Sequence, residues 1–261
     1  MTGLVSVERI QAYLRRSAYD RYDAVCAPPF TLFFHPTDAF PHFNYAIPDE
    51  PVTGNLQPAL ARLKAEFATH GRQPRFEFIE AFAPQLVGEL QRAGFVEEGR
   101  QHLMVCTAER YTPAPALAEL RVIPLDADSP LADGQGFLMA QRLGFDPEHA
   151  QPPTEDEARA FLQEARGLVS FLGRWQGGAA SAATYTQPHG GVTEIVGVAT
   201  IPALRRRGIA TALTSVAVAA AFAHGADVAC LTAGDARAGR VYERIGFRPY
   251  ATMLAYSAPA A

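Results

Sequence analysis

Two hydrophobic patterns alternate along this chain: short continuous apolar runs, which favour buried strands, and longer stretches with apolar residues at helical spacing. The clearest pair lies in the second half. The β-branched run from Val192 to Thr200 predicts a buried strand. Ile209 to Ala223 contains neither Gly nor Pro and predicts a helix. The turn between them contains three arginines and ends at Gly208, so we expect a basic loop at the helix start.

The same patterns predict elements along the rest of the chain. We expect helices at 7–23, 56–71, 84–93, 131–145, 158–165 and 236–245. We expect strands at 30–34, 75–79, 101–107, 120–124, 168–175, 179–186, 228–232 and 251–256. Residues 35–48 are rich in Pro and aromatics and should be extended or turning. Thr154 to Glu157 fits a capping box before the fifth helix. This mixture predicts an α/β (α+β) fold, in which the strands at 168–175, 179–186 and 192–200 form an antiparallel meander.

One order of elements occurs twice: helix, strand, helix, a Gly-Phe pair and a strand. The two pairs, Gly94-Phe95 and Gly246-Phe247, lie 152 positions apart. This predicts an internal duplication, with two lobes in tandem. Residues 111–119 contain two prolines and small residues, which is typical of a linker. We therefore expect domains at 1–110 and 120–261.

Composition excludes several classes of protein. Of the 261 residues, 48% are hydrophobic, which is enough to fill a sizeable core. No apolar run reaches membrane-spanning length and the first residues do not resemble a secretory signal, so we expect no membrane partner and a cytoplasmic location. The three cysteines form no CxxC pair, and we expect no metal site. A formal net charge of −4 argues against a nucleic-acid partner.

The turn before Ile209 has the chemistry of an anion site. A helix start leaves four N–H groups without intrahelical partners and carries a partial positive charge, so it can bind a phosphate group. The chain contains no GxxxxGK[ST] and no GxGxxG after a strand. A P-loop and a dinucleotide fingerprint are therefore excluded.

Two motifs in the second half carry a resemblance to a known family. Arg205 to Ala210 matches R/Q-x-x-G-x-G/A, and Asp235 to Phe247 resembles N-x-x-A-x-x-x-Y-x-x-x-G-F with its spacing kept. Together they resemble the GNAT superfamily of acyl-CoA-dependent N-acyltransferases over roughly residues 118 to 258. The resemblance implies that each lobe is a mixed, mostly antiparallel sheet flanked by helices. Asp235 stands where the family usually has Asn, which keeps an acceptor and loses an amide donor.

The resemblance implies an acetyl-CoA site and no metal cofactor. Backbone N–H groups at the helix start would bind the pyrophosphate, and the end of the preceding strand would pair with the pantetheine. The implied cofactor-binding residues are Val198, Ala199, Thr200, Arg205, Arg206, Arg207, Gly208, Ile209, Ala210, Thr211, Asp235 and Ala238.

Acetyl transfer also needs a base for the amine and an acid for the leaving thiolate. The resemblance implies that Glu194 is the base and Tyr242 the acid. Desolvation on an apolar strand would raise the pKa of the glutamate and make it a better base. Both residues also have structural interpretations, Glu194 as a solvent-facing strand residue and Tyr242 as a packing residue. Cys230, a possible nucleophile without a nearby sequence partner, is expected to be structural.

The predicted function is direct transfer of an acetyl group from acetyl-CoA to a primary amine, either a small molecule or a lysine, in a ternary complex. The alternative is a non-catalytic module that binds or senses acyl-CoA. At the 152-residue offset, Leu90 and Ala83 occupy the positions of Tyr242 and Asp235, and the first turn has no arginines. The first copy should therefore keep the fold and lose the cofactor site, and either line the acceptor pocket or cover apolar surface. The acceptor, acyl length and oligomeric state are not encoded in any pattern that we recognise.

Overall fold

A computed structural model describes residues 4–164 and 167–259. Its helices are α1 (Val7–Tyr19), α2 (Gln57–Thr69), α3 (Leu86–Arg92), α4 (Leu131–Phe145), α5 (Glu155–Gln163), α6 (Ile209–Ala223) and α7 (Ala236–Glu243). Its strands are β1 (Asp23–Ala27), β2 (Phe30–Phe34), β3 (Tyr45–Pro48), β4 (Arg75–Ile79), β5 (Val96–Thr107), β6 (Leu120–Leu125), β7 (Leu168–Trp175), β8 (Gly178–Thr186), β9 (Val192–Thr200), β10 (Val228–Ala233) and β11 (Arg248–Ser257). Short 3-10 helices span Pro41–Phe43 and Pro202–Leu204.

The chain forms two compact units that are not continuous in sequence. The first unit comprises Leu4–Leu103, Thr232–Asp235 and 249–259, and the second comprises Met104–Leu231 and Ala236–Arg248. The last strand, β11, therefore belongs to the first unit. Strand pairing brings the end of the chain back to β4, so the first unit also contains residues that lie beyond the predicted linker at 111–119.

The first unit is built on a mixed sheet. β1, β2 and β3 form an antiparallel meander, β3 runs parallel to β4, and β4 pairs antiparallel with β11. The apolar face of α2, with Leu60, Leu63 and Phe67 at helical spacing, packs on this sheet. Leu254 and Tyr256 of β11 are fully buried in the same core, so the last strand completes the first unit's core.

The second unit contains the predicted meander. β6, β7, β8 and β9 pair antiparallel in sequence order, and β9 runs parallel to β10. On one face, Phe137 and Ala140 of α4 pack against Leu172 and Ala182. Tyr185 follows Ala182 on β8 by three residues and therefore points to the other face of the sheet. There its hydroxyl forms a hydrogen bond with His224 at the end of α6. Helices thus cover both faces of this sheet.

Most predicted elements are confirmed, and the misses have physical causes. β2, β4, α4, β7, β9 and α6 have the predicted bounds. The helix predicted over 7–23 ends at Tyr19, and Asp23–Ala27 is strand β1. β1 is largely exposed and so shows no apolar pattern. β3 is a four-residue strand inside the segment expected to be extended or turning. The capping box at Thr154 is present, whereas Ala165, the predicted end of the fifth helix, lies outside the described residues.

The repeat is visible in the elements themselves. α2 begins at Gln57 and α6 at Ile209, which are 152 positions apart, the offset predicted from the Gly-Phe pairs. Each helix follows one strand and precedes another that runs parallel to the first, β3 and β4 in one copy, β9 and β10 in the other. The fold class is confirmed, with each unit a mixed, mostly antiparallel sheet flanked by helices.

Candidate functional site

The two parallel strands of the second unit pair at one end and separate at the other. Among the described residues, the register of β10 on β9 runs from Val228 opposite Val192 to Cys230 opposite Glu194, and goes no further. β9 itself continues to Thr200, and its other edge stays paired with β8 up to that residue. The backbone of β9 beyond Glu194 therefore faces a gap, where an extended ligand can pair with it as an added strand.

A β-bulge lies on β9 within this gap. Ala199 pairs with Ala182 and Val196 with Thr184, so β9 has one extra residue between these pairs. Gly197 has a φ of 61°, and its carbonyl accepts a hydrogen bond from Gln141 Nε2 of α4 at 3.2 Å. A Cβ at this position would lie 2.4 Å from that nitrogen. Glycine is therefore required here by both the backbone angle and the close approach of Gln141.

The turn after β9 ends in an open helix start. Gly208 is the N-cap of α6 with a φ of 81°, and no side chain of the described chain caps it. The first N–H groups of α6, from Ile209 to Thr211, point out of this end. Arg206 also has a positive φ, 66°. This cradle of free N–H groups next to the β9 gap fits the pyrophosphate and pantetheine of an acyl-CoA.

The three arginines of the turn have different surroundings. The guanidinium of Arg205 donates to the carbonyl of Thr200 at 3.1 Å and to that of Gly144, at the end of α4, at 2.6 Å. It holds the turn to α4. Arg206 and Arg207 are exposed and can contribute positive charge at the cradle. Asp235, which is exposed, and Ala238, which is half-buried, lie at the start of α7.

Glu194 lies on the sheet face that α4 covers. Ala182 of β8 packs against α4, and Thr184, two residues on, points the same way. Thr184 pairs with Val196 of β9, so Val196 shares that face, and so does Glu194 two residues earlier. Glu194 is half-buried and stands where β9 and β10 part. A base at this point can reach an amine that enters the gap from the α4 face.

Threonine and serine hydroxyls line the same face beside Glu194. Thr186 accepts a hydrogen bond from the backbone N–H of Glu194 at 3.0 Å and donates to its carbonyl at 3.3 Å. Ser170 and Thr184 share a hydrogen bond of 2.9 Å. We name Ser170, Thr184 and Thr186 the hydroxyl stripe. The sequence analysis missed it, although the spacing of Thr184 and Thr186 on a predicted strand places both on one face.

Tyr242 is a half-buried residue on α7. Its ring packs edge-on against Phe247, with centroids 6.1 Å apart. Burial raises the pKa of its hydroxyl to about 12. In the part of the chain that the structure describes, no hydrogen bond is made by that hydroxyl. A phenol in this state is protonated at neutral pH and can donate a proton or a hydrogen bond.

Cys230 has the structural role that the sequence indicates. It is fully buried, and burial raises the pKa of its thiol well above the usual range. The negative charge of Glu194, its partner across the strands, raises that pKa further. A thiol held protonated is a poor nucleophile. The described residues contain no cluster of metal-ligating side chains, and no described helix combines the length and apolarity needed to cross a membrane.

The sequence and the fold of this chain are similar to those of known acetyltransferases. Residues 138–247 match the model of the acetyltransferase (GNAT) family. A GCN5-related N-acetyltransferase from Kribbella flavida is 24% identical with a TM-score of 0.82, covering 99% of this chain and 98% of its own. A second one, from Sphaerobacter thermophilus, is 17% identical with a TM-score of 0.62, covering 89% and 78%.

A third solved structure is a tandem GNAT protein from the clavulanic acid biosynthesis pathway. It is 15% identical with a TM-score of 0.65, and the likeness covers 89% of this chain and 78% of that one. None of the curated proteins matches this sequence. The structural matches thus extend over both copies of the repeat, whereas the family model matches the second copy and its cradle.

Proposed function

We propose that this chain, a member of the GNAT acetyltransferase superfamily with the tandem fold, transfers an acetyl group from acetyl-CoA to a primary amine in its second unit. The observation that carries the proposal is the separation of β9 from β10 at Glu194, beside the uncapped start of α6. The gap suits a pantetheine, and the cradle suits a pyrophosphate. Glu194, the only acid on β9, lies at the point where β9 and β10 separate.

The reaction would run by direct transfer within a ternary complex, without a covalent acyl-enzyme. The amine nitrogen attacks the carbonyl carbon of the thioester, a C–N bond forms, and the C–S bond breaks as the tetrahedral intermediate collapses. The proton lost by the amine goes to the carboxylate of Glu194. The thiolate of CoA takes a proton from the hydroxyl of Tyr242, and the proton held by Glu194 then returns through solvent to the tyrosinate, which restores both groups. The amide and free CoA are the products, and no redox change occurs.

The N–H groups at the α6 start and the exposed side chains of Arg206 and Arg207 would hold the negative pyrophosphate. Arg205 would act differently, since its guanidinium already binds two carbonyls. Its part would be to fix the turn against α4. In the gap, backbone groups of Val198 to Thr200 would pair with the pantetheine amides and so set the distance between thioester and base.

Steady-state kinetics of Glu194→Gln with acetyl-CoA and an amine test the proposal. The variant should lose kcat by at least about tenfold below pH 8, because the amine then has no local base. Activity should partly return at higher pH, where more of the amine is already neutral. Glu119→Gln, an exposed residue outside the site, is the matched control and should behave as wild type.

A rate for Glu194→Gln equal to that of wild type at every pH would remove Glu194 as the base. Tight binding of acetyl-CoA without turnover on any amine would instead support the alternative of an acyl-CoA-binding or sensing module. The wild-type protein is active in the first outcome and inactive in the second, so the same experiment separates them.

A further inference from the structure

The C-terminal part of α4 lies directly on the bulged part of β9. Gln141 donates from Nε2 to the carbonyl of Gly197 at 3.2 Å. Gly144 follows three residues later on the same face of the helix, and a Cβ there would lie 2.6 Å from the Cβ of Ala199 and 3.2 Å from the backbone nitrogen of Thr200. A larger residue would therefore displace the helix from the strand. This close packing of α4 fixes where the amide of Gln141 meets β9.

The peptide group between Gly197 and Val198 lies outside both strand ladders. The described registers of β8 and β10 on β9 give neither residue a partner. The hydrogen bond from Gln141 instead directs the carbonyl of Gly197 toward α4. In a trans peptide the N–H and C=O groups point in opposite directions, so the N–H of Val198 points away from α4. Gly197 lies three residues beyond Glu194, in the stretch along which the pantetheine would pair.

Glycine alone does not hold this peptide in one orientation. Gly197 has a φ of 61°, which glycine reaches at no steric cost, but glycine also has the widest choice of other backbone angles. A residue that permits a conformation without enforcing it needs a partner that selects that conformation. The hydrogen bond from Gln141 supplies the selection, because it forms only while the carbonyl of Gly197 points to α4.

We propose that Gln141 is a positioning residue for acetyl transfer: its hydrogen bond fixes the peptide between Gly197 and Val198 at the gap, and this peptide orients the thioester for attack. The inference rests on the proposed function. Gln141 acts through the backbone of β9 and has no part in proton transfer. Because a misplacement of about 1 Å can slow a reaction strongly, loss of the hydrogen bond should slow the chemical step more than it weakens cofactor binding. The pyrophosphate cradle at the start of α6 keeps its own contacts.

Gln141→Met tests this assignment, because methionine has nearly the length and volume of glutamine and no N–H donor. Kinetics with the full-length protein use acetyl-CoA and butylamine, 1,4-diaminobutane or a lysine peptide, whichever the wild type acetylates fastest. We expect kcat to fall by at least about tenfold and KM for acetyl-CoA to change by less than about threefold. Gln141→Glu has the shape of glutamine but only acceptor oxygens when ionised, and it should lose at least as much kcat.

A second glutamine on the same helix supplies the matched control. Gln135 donates from Nε2 to the carbonyl of Pro153 at 3.1 Å, so it makes the same kind of hydrogen bond from α4, to a loop rather than to β9. Gln135→Met should lower Tm by an amount similar to that for Gln141→Met and leave kcat and KM unchanged. Calorimetric titration with acetyl-CoA should give a Kd close to the wild-type value in both variants.

Three outcomes would overturn the role of Gln141 while acetyl transfer itself stands. The first is a wild-type kcat in Gln141→Met. The second is an equal loss of kcat in Gln141→Met and Gln135→Met, which would mean that general loosening of α4 is responsible. The third is a fall in kcat/KM that comes from KM alone. If the wild type acetylates none of the three amines, the proposed function itself fails, and an inactive wild type distinguishes this result from the other three.

Discussion

Single residues decide what the proposed site can do, and Tyr242 illustrates this. It lies on a short amphipathic helix, and the sequence pattern alone left open whether it acts or only packs. The structure gives it a half-buried ring and a pKa raised to about 12 by burial. An unperturbed tyrosine has a pKa near 10. The hydroxyl thus keeps its proton across the pH range in which amines become neutral.

If Tyr242 protonates the leaving thiolate, Tyr242→Phe should lower kcat by about 10²-fold or more and leave binding of acetyl-CoA little changed. Because a raised pKa retains the proton, the wild-type rate should not fall between about pH 8.5 and pH 10 through loss of the phenolic proton. Rate profiles against pH for both proteins check this. Tyr250→Phe, at an exposed position, is the control.

A variant rate equal to that of wild type would exclude Tyr242 as the acid. A wild-type decline with a midpoint near pH 10 that disappears in Tyr242→Phe would support Tyr242 as the acid but would contradict the raised pKa of its hydroxyl.

Residue-level prediction from sequence is possible where a motif names a position, and it stops where the orientation of a side chain matters. Glu194 and Gly208 were selected from the family resemblance of their motifs. The face on which Glu194 lies could not be predicted, because the bulge at Gly197 changes the alternation along β9. Arg205 was expected to bind the cofactor with its neighbours. Its two bonds to carbonyls depend on where α4 ends in space, which no local pattern encodes.

At the scale of elements, the equivalent helices of the two repeats have different N-termini. α6 begins at an uncapped glycine. The corresponding helix α2 has Pro58 in its first turn, and a carboxylate of its own unit lies at its start. Glu89 accepts hydrogen bonds from the backbone N–H of Leu56 at 3.3 Å and from Gln57 Nε2 at 3.0 Å. The position that an anion would take in the first copy is thus filled by Glu89.

The hydrogen bond from Gln57 lowers the pKa of Glu89, and the N–H of Leu56 and the charge of Arg92 lower it further. A lowered pKa in the folded state stabilises the protein above the unfolded pKa, near 4.3, and this contribution is lost as the pH falls through the folded value. Glu89→Gln should therefore lower Tm at pH 7, and the difference from wild type should shrink below about pH 4.

Thermal unfolding at several pH values measures this effect, with Glu50→Gln, an exposed site in the same unit, as control. A Tm difference that is the same at pH 3 and pH 7 would show that the charge of Glu89 does not bind the helix start.

Element types and bounds were mostly predictable because long apolar runs and helical spacing are strong signals. The two missed strands are the ones that those signals cannot reveal. β1 is an edge strand with little buried surface, and β3 has only four residues. Their pairing partners, rather than their own residues, make them strands.

At the scale of the whole molecule, the duplication was predictable, whereas the pairing of the last strand was not. The Gly-Phe pairs give the offset directly from the sequence. Nothing in the sequence of β11 indicates that it pairs with β4, more than 160 positions earlier in the chain, from Met253 opposite Ile79 to Ser257 opposite Arg75. Tyr256 is also held there by its hydroxyl, which donates to Glu97 at 2.7 Å.

Because β11 supplies part of the first unit's core, a fragment of residues 1–110 should not fold cooperatively on its own. Adding a peptide of residues 248–259 should restore a cooperative thermal transition, measured by circular dichroism. A peptide with Leu254→Asp and Tyr256→Asp should not, because both side chains are fully buried. A fragment 1–110 that unfolds cooperatively without peptide would contradict this account of the first unit.

The central claim is that acetyl-CoA binds at the start of α6. The most direct measurement is the shift in Tm on adding acetyl-CoA to wild type, Gly208→Asp and Gly208→Asn. Asp and Asn have nearly the same size and both tolerate a positive φ, so the pair differs mainly in charge at the cradle. A ligand at one hundredfold over its Kd stabilises by about 2.7 kcal/mol. We expect a clear shift in wild type, most of it in Gly208→Asn and little in Gly208→Asp. No shift in wild type at millimolar acetyl-CoA, or equal shifts in the two variants, would contradict the claim.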